Sequence, residues 1–259
     1  MFQTIQFDQI ADLYDSYVTV DVDIPFFLQE AKQVKGNVLE LTSGTGRISV
    51  ALAKAGINLT CVDYSAKMLD ILQRKLALHG LSARVIQMDM TQLALDDRYK
   101  LIIIPFNSFS EVIDTRLRGQ ALEGIYRHLE EDGRFICTMH NPLIRSRTMD
   151  GTEQTLGEFP MDGGGSVRVR TILSYDSSAH IGHGKQLYDI FDEEKHLLEE
   201  RSLDVSFCLF SKHEAEALFR AAGFEVANLY GNYDRSPFHE TTSPFMIWRL
   251  KKAKKSSKQ

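Results

Sequence analysis

Val38-Leu39-Glu40-Leu41-Thr42-Ser43-Gly44-Thr45-Gly46-Arg47 decides how the rest of this 259-residue chain is read. The apolar run after Lys35-Gly36-Asn37 predicts a short buried strand, small residues follow, and Ile48, Ala51, Leu52 and Ala55 then recur at helical spacing. Glycine has no side chain to hold a ligand off the backbone, and a helix N-terminus offers unpaired N–H groups. Strand, tight loop and helix therefore predict a nucleotide-like ligand. The loop departs from the dinucleotide fingerprint at Ser49, where a third glycine would let the helix pack closely and receive a pyrophosphate. Glu40 is expected at the strand end, facing the same crevice, where a carboxylate repels pyrophosphate but attracts an ammonium or a sulfonium. Taken alone, the loop is equally an ordinary glycine turn; its surroundings decide.

Gly56 closes the helix, and Ile57 to Asp63 predicts a second strand. Asp63 lies about twenty residues past the loop, the distance at which an acidic residue in a βαβ unit hydrogen-bonds both ribose hydroxyls. The competing reading makes Asp63 the cap of the next helix, marked by Ser65, Lys67, Met68, Leu69, Leu72 and Leu76. Arg84 to Met90 reads as a third strand ending in Asp89, and Leu101 to Ile104 as a fourth, apolar enough to be covered on both faces as in a parallel sheet. Ligands of such sheets bind beyond the carboxyl ends of the strands, where Pro105-Phe106-Asn107-Ser108-Phe109 lies. Leu117, Ala121, Ile125 and Leu129 mark a helix ending before Gly133. Phe135 to Met139 gives a fifth strand, with His140 and Asn141 at its carboxyl end.

Together these motifs resemble the class I S-adenosylmethionine-dependent methyltransferases, whose acidic-x-small-x-Gly-x-Gly loop matches Glu40, Thr42, Gly44 and Gly46, with Thr42 replacing the usual first glycine. The resemblance implies S-adenosyl-L-methionine as cofactor and gives the residues roles: Asp63 on the ribose, Met68 beside the adenine, Asp89 accepting from the adenine amino group and Met90 donating its N–H. Arg47, Tyr64, Pro105 and Asn107 complete the implied cofactor set. Near the start, Phe7, Ile10, Tyr14 and Tyr17 have helical spacing, and Ala11, Tyr14 and Asp15 match an Ala-x-x-Tyr-Asp element whose tyrosine closes over the cofactor. In the same family, the segment holding Asn107 flanks the transferred methyl group. It lacks the Asn/Asp-Pro-Pro-aromatic pattern of enzymes acting on planar amides or DNA bases, which argues against a nucleobase acceptor. Tyr14, Asn107 and His140 are the catalytic candidates, and no metal ligands are expected.

From Met149 to Gly165 the chain turns to Gly, Thr, Glu and Asp, which predicts a boundary or mobile loop. Val167 to Tyr175, Gly184 to Phe191 and Leu198 to Leu209 alternate as an antiparallel sheet. Apolar Val167, Val169, Ile172 and Leu187 are expected on its packed face, and Arg168, Arg170, His183 and Tyr188 are candidates for choosing the acceptor. The alternative makes this layer a homodimer interface. A helix from Lys212 to Ala222 and strands Glu225 to Tyr230 and Pro244 to Leu250 end the chain as in the resembled family. The inserted layer, with Leu209, Phe210 and Glu214 matching a Leu-Phe-x-x-x-Glu segment, resembles sugar-amine N-methyltransferases.

The expected fold is α/β: a doubly wound, Rossmann-like seven-stranded sheet, parallel except for the last strand, with an antiparallel β insertion as lid. The S-adenosylmethionine-binding domain is assigned to 1–148 and 208–250, the insertion to 149–207 and a disordered basic tail to 251–259. Apolar (43%) and charged (25%) fractions are those of an ordinary globule, and thirty basic against thirty-five acidic side chains do not build the positive surface that nucleic acid requires. Cys61, Cys137 and Cys208 lack disulfide or metal spacing and read as buried thiols. With no signal pattern and no run near the ~20 apolar residues of a membrane span, a cytoplasmic place is the default. The expected function is methyl transfer to a small-molecule amine or hydroxyl. A non-catalytic S-adenosylmethionine or S-adenosylhomocysteine binder is the alternative, and an NAD-dependent oxidoreductase is disfavoured by Glu40 and Ser49.

Overall fold

The computed structural model describes residues 5–254. After a 3-10 turn at Phe7–Gln9 come α1 (Ala11–Tyr17) and α2 (Ile24–Lys32), the latter with Pro25 in its first turn, where a missing N–H costs nothing. The alternating core follows: β1 (Val38–Leu41), α3 (Arg47–Lys54), β2 (Leu59–Asp63), α4 (Ala66–Leu78), β3 (Arg84–Gln87), β4 (Tyr99–Ile104), α5 (Thr115–His128) and β5 (Leu129–His140). Short polar side chains begin the longer helices: Ser65 accepts the N–H of Met68 for α4, and Asp114 that of Leu117 for α5. A short α6 (Pro142–Arg145) leads out of the core into β6 (Asp150–Pro160), β7 (Ser166–Asp176), β8 (Ile181–Phe191) and β9 (Leu197–Cys208). Then α7 (Lys212–Ala221), β10 (Phe224–Tyr230) and β11 (Phe245–Lys252) return to it.

Seven strands form one sheet in the order β10-β11-β5-β4-β1-β2-β3, in which β11 alone is reversed, as expected. Alternation along the pleat sends neighbouring residues to opposite layers. Leu39, Leu41, Ile102 and Ile104 pack with α5 and α7, while Val38, Leu101 and Ile103 pack with α2, α3 and α4. All four residues of β1 and the apolar run of β4 are buried, the pattern of a sheet covered on both faces. The three cysteines are buried thiols. Among the described residues no helix is long and apolar enough to cross a membrane.

The second sheet, β6-β7-β8-β9, is wholly antiparallel. It has four strands where the sequence predicts three, because the polar, glycine-bearing stretch read as a loop is β6. That edge strand is exposed along most of its length, so no apolar alternation marks it, and its register shifts near Gly151 (φ +82°) and Gly157. Pairing Val169 with Tyr188 and Val167 with Ile190 defines an inner face, which packs on Ile10, Ala11 and Leu13 through Val167, Val169, Leu173, Tyr188 and Leu203. Ile172 and Leu187 lie one residue out of phase with that set and belong to the other face. At the end of the chain, the basic stretch starts inside the fold: Lys252 pairs with Glu131 at 2.8 Å over the Tyr126 ring, extending β11 past Leu250. The part of the expected tail from 255 to 259 lies outside the described residues.

Candidate active site

The loop after β1 is held from both sides. The Ser43 N–H donates to Val62 O at 3.1 Å and the Gly44 N–H to Asp63 Oδ2 at 2.8 Å, so the loop is clasped to the end of β2. Asp63 Oδ1 also accepts the Ser65 N–H at 2.9 Å. Burial raises the Asp63 carboxyl above its usual range while the Ser65 and Gly44 N–H groups oppose the rise. The helix-cap reading of Asp63 does not hold, since Ser65 caps α4. The two glycines serve different ends. At Gly46 (φ +88°) a Cβ would stand 2.3 Å from Leu72 Cδ1, so packing against α4 demands glycine. At Gly44 (φ +53°) a Cβ would meet nothing within 4 Å, because that face opens onto a cavity. Thr42, in place of the first glycine, also takes positive φ, at +58°.

Three residues of the implied cofactor set do not line the cavities. Glu40 shares a face of β1 with Val38 and lies beneath α3, where it accepts the Ser49 hydroxyl at 2.6 Å. Burial pushes its carboxyl up to about 8. The serine that departs from the dinucleotide pattern is thus Glu40's partner. Arg47 is bound in a two-point pair to Asp23, donates to Val20 O at 2.7 Å and lies 5.0 Å over the Phe106 ring. Pro105 is buried at the end of β4, and the cavity is met instead by Phe106 and Asn107, both at left-handed φ (+57° and +65°). The Asn107 N–H donates to Thr138 Oγ1 at 3.0 Å, and its side-chain oxygen is buried without a partner.

Two adjoining cavities share Thr42, Asp63, Tyr64 and Glu111. The smaller, about 100 Å³, is lined by Val62, Met88, Asp89 and Met90. β3 stops short of Asp89, whose carboxylate accepts the Thr91 N–H at 2.8 Å and caps a 3-10 turn at Met90–Gln92. The larger, about 430 Å³, is within the usual range for small-molecule sites. Tyr14, Tyr17, Gly44, Met68, Asn107 and His140 reach it from the core side, and Leu156, Leu173, Gln186, Val205 and Phe207 from the second sheet.

The lid tyrosines are positioned by α1. Asp15 accepts the Thr45 hydroxyl at 2.7 Å and pairs with Lys75 at 2.6 Å, fixing α1 to the glycine loop and to α4. The Tyr14 ring stands edge-on to Phe7 and Tyr17. Tyr188 donates to Gln186 at 2.8 Å, which leaves Tyr17 to donate to Tyr188 at 3.0 Å. Tyr64 donates to Ile5 O. At the end of β5, burial and the nearby Arg145 hold the His140 imidazole down at about 3; its ring faces Phe207 and Phe245.

Of the proposed acceptor-choosing residues, Tyr188 alone belongs to the inner face. Arg168 pairs with Glu158, Arg170 with Asp189 and Glu153, and His183 is exposed, because their parity turns them outward. In the Leu209-Phe210-x-x-x-Glu214 segment, Glu214 and Ser211 form a reciprocal capping box for α7, a structural role. Sequence reasoning missed Glu111, which lines both cavities without a hydrogen-bond partner among the described residues. Burial and Asp63 push its carboxyl up to about 8. No spacing marks it, nor Phe207 and Gln186, whose strand parity is the one usable signal.

Residues 38–133 match a family described as a methyltransferase domain, a span that takes in the glycine loop, Asp63, Asp89 and Asn107. The cypemycin N-terminal methyltransferase of a Streptomyces species is 25% identical over 91% of this chain and 92% of its own. Among solved structures, the CcbJ methyltransferase of Streptomyces caelestis has 20% identity and a TM-score of 0.80, over 98% of this chain and all (100%) of the other. The sugar N-methyltransferase KedS8 from Streptoalloteichus has 18% identity and a TM-score of 0.72, over 93% and 92%. These two likenesses are of fold, and the second sheet is part of what they cover. With the domain match running through the loop and both acidic strand ends, the chain belongs to the S-adenosylmethionine-dependent methyltransferases.

Proposed function

We propose that this protein methylates a nitrogen of a small-molecule amine. The observation that carries the reading is the larger cavity, in which Gly44 and Asp63 share one volume with Gln186, Val205 and Phe207 of the second sheet, so that donor and acceptor meet in a chamber walled largely by aromatic and aliphatic side chains. The names of the cypemycin N-terminal and KedS8 sugar N-methyltransferases favour nitrogen over oxygen.

The residues present fit the cofactor. Gly44 leaves its cavity face open, Asp63 is fixed by two N–H groups, and the smaller cavity joins Met88 and Met90 to the carboxylate of Asp89. In this reading Thr42 and Gly44 hold the methionine portion, Asp63 the ribose, Met68, Asp89 and Met90 the adenine, and Tyr14 closes over it. Glu40 acts from beneath the loop, Arg47 anchors α3 to Asp23, and Tyr64 fixes the wall at Ile5. The cofactor supplies a methyl group already activated on a sulfonium. The protein's part is alignment and exclusion of water, to which proximity contributes strongly. Asn107 offers its unpaired oxygen to the incoming N–H. His140, with an imidazole held at about 3, stays neutral near pH 7 and serves as a wall and hydrogen-bond partner, not as a proton store. The inner face of the second sheet is the acceptor's lid.

The test is incubation with S-adenosylmethionine and matched panels of amines and alcohols, followed by mass spectrometry for the methylated product and for S-adenosylhomocysteine. Methylated amines are expected; methylation confined to alcohols would overturn the choice of atom.

A further inference from the structure

The larger cavity is electrically lopsided. Beside the glycine loop stand Asp63, Glu111 and Asp23, the last already paired with Arg47. At the opposite end, where β5 passes into α6 and the second sheet closes over, stands Arg145, the single lysine or arginine among the residues lining the cavity. Its guanidinium is poorly satisfied. Nη1 donates to Thr148 Oγ1 at 3.1 Å and the group lies 5.7 Å from the Phe207 ring centre, but Nε is buried without an acceptor. Elsewhere in the molecule arginines have carboxylate partners: Arg47 has Asp23, Arg170 has Asp189 and Glu153, and Arg201 has Asp12 and Glu199. Burial also lowers the Arg145 guanidinium below its ordinary range, the mark of a charge taken from water without an opposite charge beside it.

We propose that Arg145 receives a carboxylate borne by the acceptor, so that the substrate is an amine that also carries an acid group. The edge formed by Nε and Nη2 is left for a two-point contact with a planar carboxylate, the geometry for which a guanidinium is suited. Arg145 and His140 both pack on Phe207, so the acid subsite and the end of β5 flank one aromatic ring. The cofactor's own methionine carboxylate is the other source of the same chemistry. The acceptor is favoured because Arg145 lies at the second-sheet end, beside Leu156 and Phe207, and the loop that fits the methionine lies at the other. The proposal rests on the amine-methylation reading for the acceptor's identity; the anion subsite itself can be read without turnover.

The experiment titrates benzoate and benzyl alcohol by calorimetry into protein saturated with S-adenosylhomocysteine, for wild type, Arg145→Gln and Arg145→Lys. Benzoate is expected to bind wild type at least tenfold more tightly than Arg145→Gln, about 1.4 kcal/mol, with Arg145→Lys between. Benzyl alcohol and S-adenosylhomocysteine affinities should stay within twofold. The lysine variant, which keeps the charge, carries the test if the glutamine variant does not fold. Equal benzoate affinity in all three, or no binding to wild type, overturns the subsite. Displacement of S-adenosylhomocysteine by benzoate, with loss of cofactor affinity in Arg145→Gln, assigns the guanidinium to the cofactor and overturns the acceptor role. Failure of wild type to bind S-adenosylhomocysteine sinks the methyl-transfer reading instead, while the benzoate arm without cofactor still reports on Arg145.

Discussion

The two sheets reach the same cavity by opposite means. In the parallel sheet the strands are buried on both faces, and only the loops beyond their carboxyl ends touch the cavity: Thr42 and Gly44 after β1, Tyr64 after β2, Phe106 and Asn107 after β4. In the antiparallel sheet the strands themselves supply the wall, through inner-face side chains of β7, β8 and β9 such as Leu173, Gln186 and Phe207. A site made of loop backbone tolerates little change in conformation but is indifferent to most neighbouring side chains. A wall made of side chains can be rebuilt one residue at a time while the sheet stands. The cofactor half should therefore break as a unit and the acceptor half by degrees.

The strongest test of that contrast pits two glycines of one loop against each other. In Gly46→Val, the new side chain meets Leu72 at a left-handed backbone position. Steric overlap and strain together should cost on the order of 3–5 kcal/mol, a fall in Tm of roughly ten degrees or more for a chain of this size. Gly44→Ala places its methyl in open space and should cost the fold only about 1 kcal/mol, yet weaken S-adenosylhomocysteine binding at least tenfold. Thermal melts with and without ligand separate the two. Equal losses of stability would mean that the loop is a structural turn and not a ligand cradle.

Asp63→Ala comes next in size. From spacing alone its loss should spare the fold, but the carboxylate satisfies the N–H groups of both Gly44 and Ser65, so the substitution removes two acceptors at once. About 1–3 kcal/mol of stability should go along with cofactor affinity. Asp63→Asn, which keeps one acceptor oxygen, should recover part of the stability and less of the affinity. If calorimetry instead finds affinity intact in folded Asp63→Ala, the residue is a loop clasp only.

The same contrast explains what could be read in the chain. Glu40-x-Thr42-x-Gly44-x-Gly46, Asp63 and the apolar Ile102-Ile103-Ile104 are contiguous signals, because a loop touches its ligand with residues adjacent in sequence and a strand buried on both faces is apolar throughout. Parity, also legible, was underused: Glu40 follows Val38 onto the α3 side, and Arg168 and Arg170 alternate with buried Val167 and Val169, so all three turn away from the cavities. What no local pattern carries is the meeting of distant pieces. Glu111 becomes a cavity residue only because the turn after β4 folds toward Asp63, and β6 has too little buried surface to show an alternating pattern.

A smaller effect tests the faces of the second sheet. Phe207→Ala, which removes a ring beside His140 and Arg145, should raise the acceptor KM roughly tenfold and leave S-adenosylhomocysteine affinity within twofold. Arg168→Ala breaks an exposed pair with Glu158 on the opposite face and should change neither beyond experimental scatter. Steady-state kinetics on any acceptor that turns over decides it. If Arg168→Ala alters KM as much as Phe207→Ala does, the sheet is not a one-sided wall.

The least effect concerns His140, where the loop half and the wall half touch. Its imidazole titrates near 3 in the folded chain, against about 6.5 for an exposed histidine, because burial and Arg145 oppose the charge. Between those values the unfolded chain binds the extra proton and the folded chain does not. His140 therefore contributes stability that is present above about pH 6.5 and is lost as pH falls toward 3. At pH 6 the loss is on the order of 1 kcal/mol, some 2–4 °C in Tm, and it grows with further acidification. His140→Gln cannot take up that proton, so the gap in Tm between it and wild type should shift in the variant's favour by this amount from pH 8 to pH 6. Other groups titrate alike in both proteins and cancel in the difference. Activity should tell the same story from the other side: because the imidazole is already neutral, the variant's kcat profile above pH 5 should keep the wild-type shape, whatever its height. A basic limb near pH 6.5 that disappears in His140→Gln would show that the bound acceptor opens the wall to water and makes the histidine a base after all.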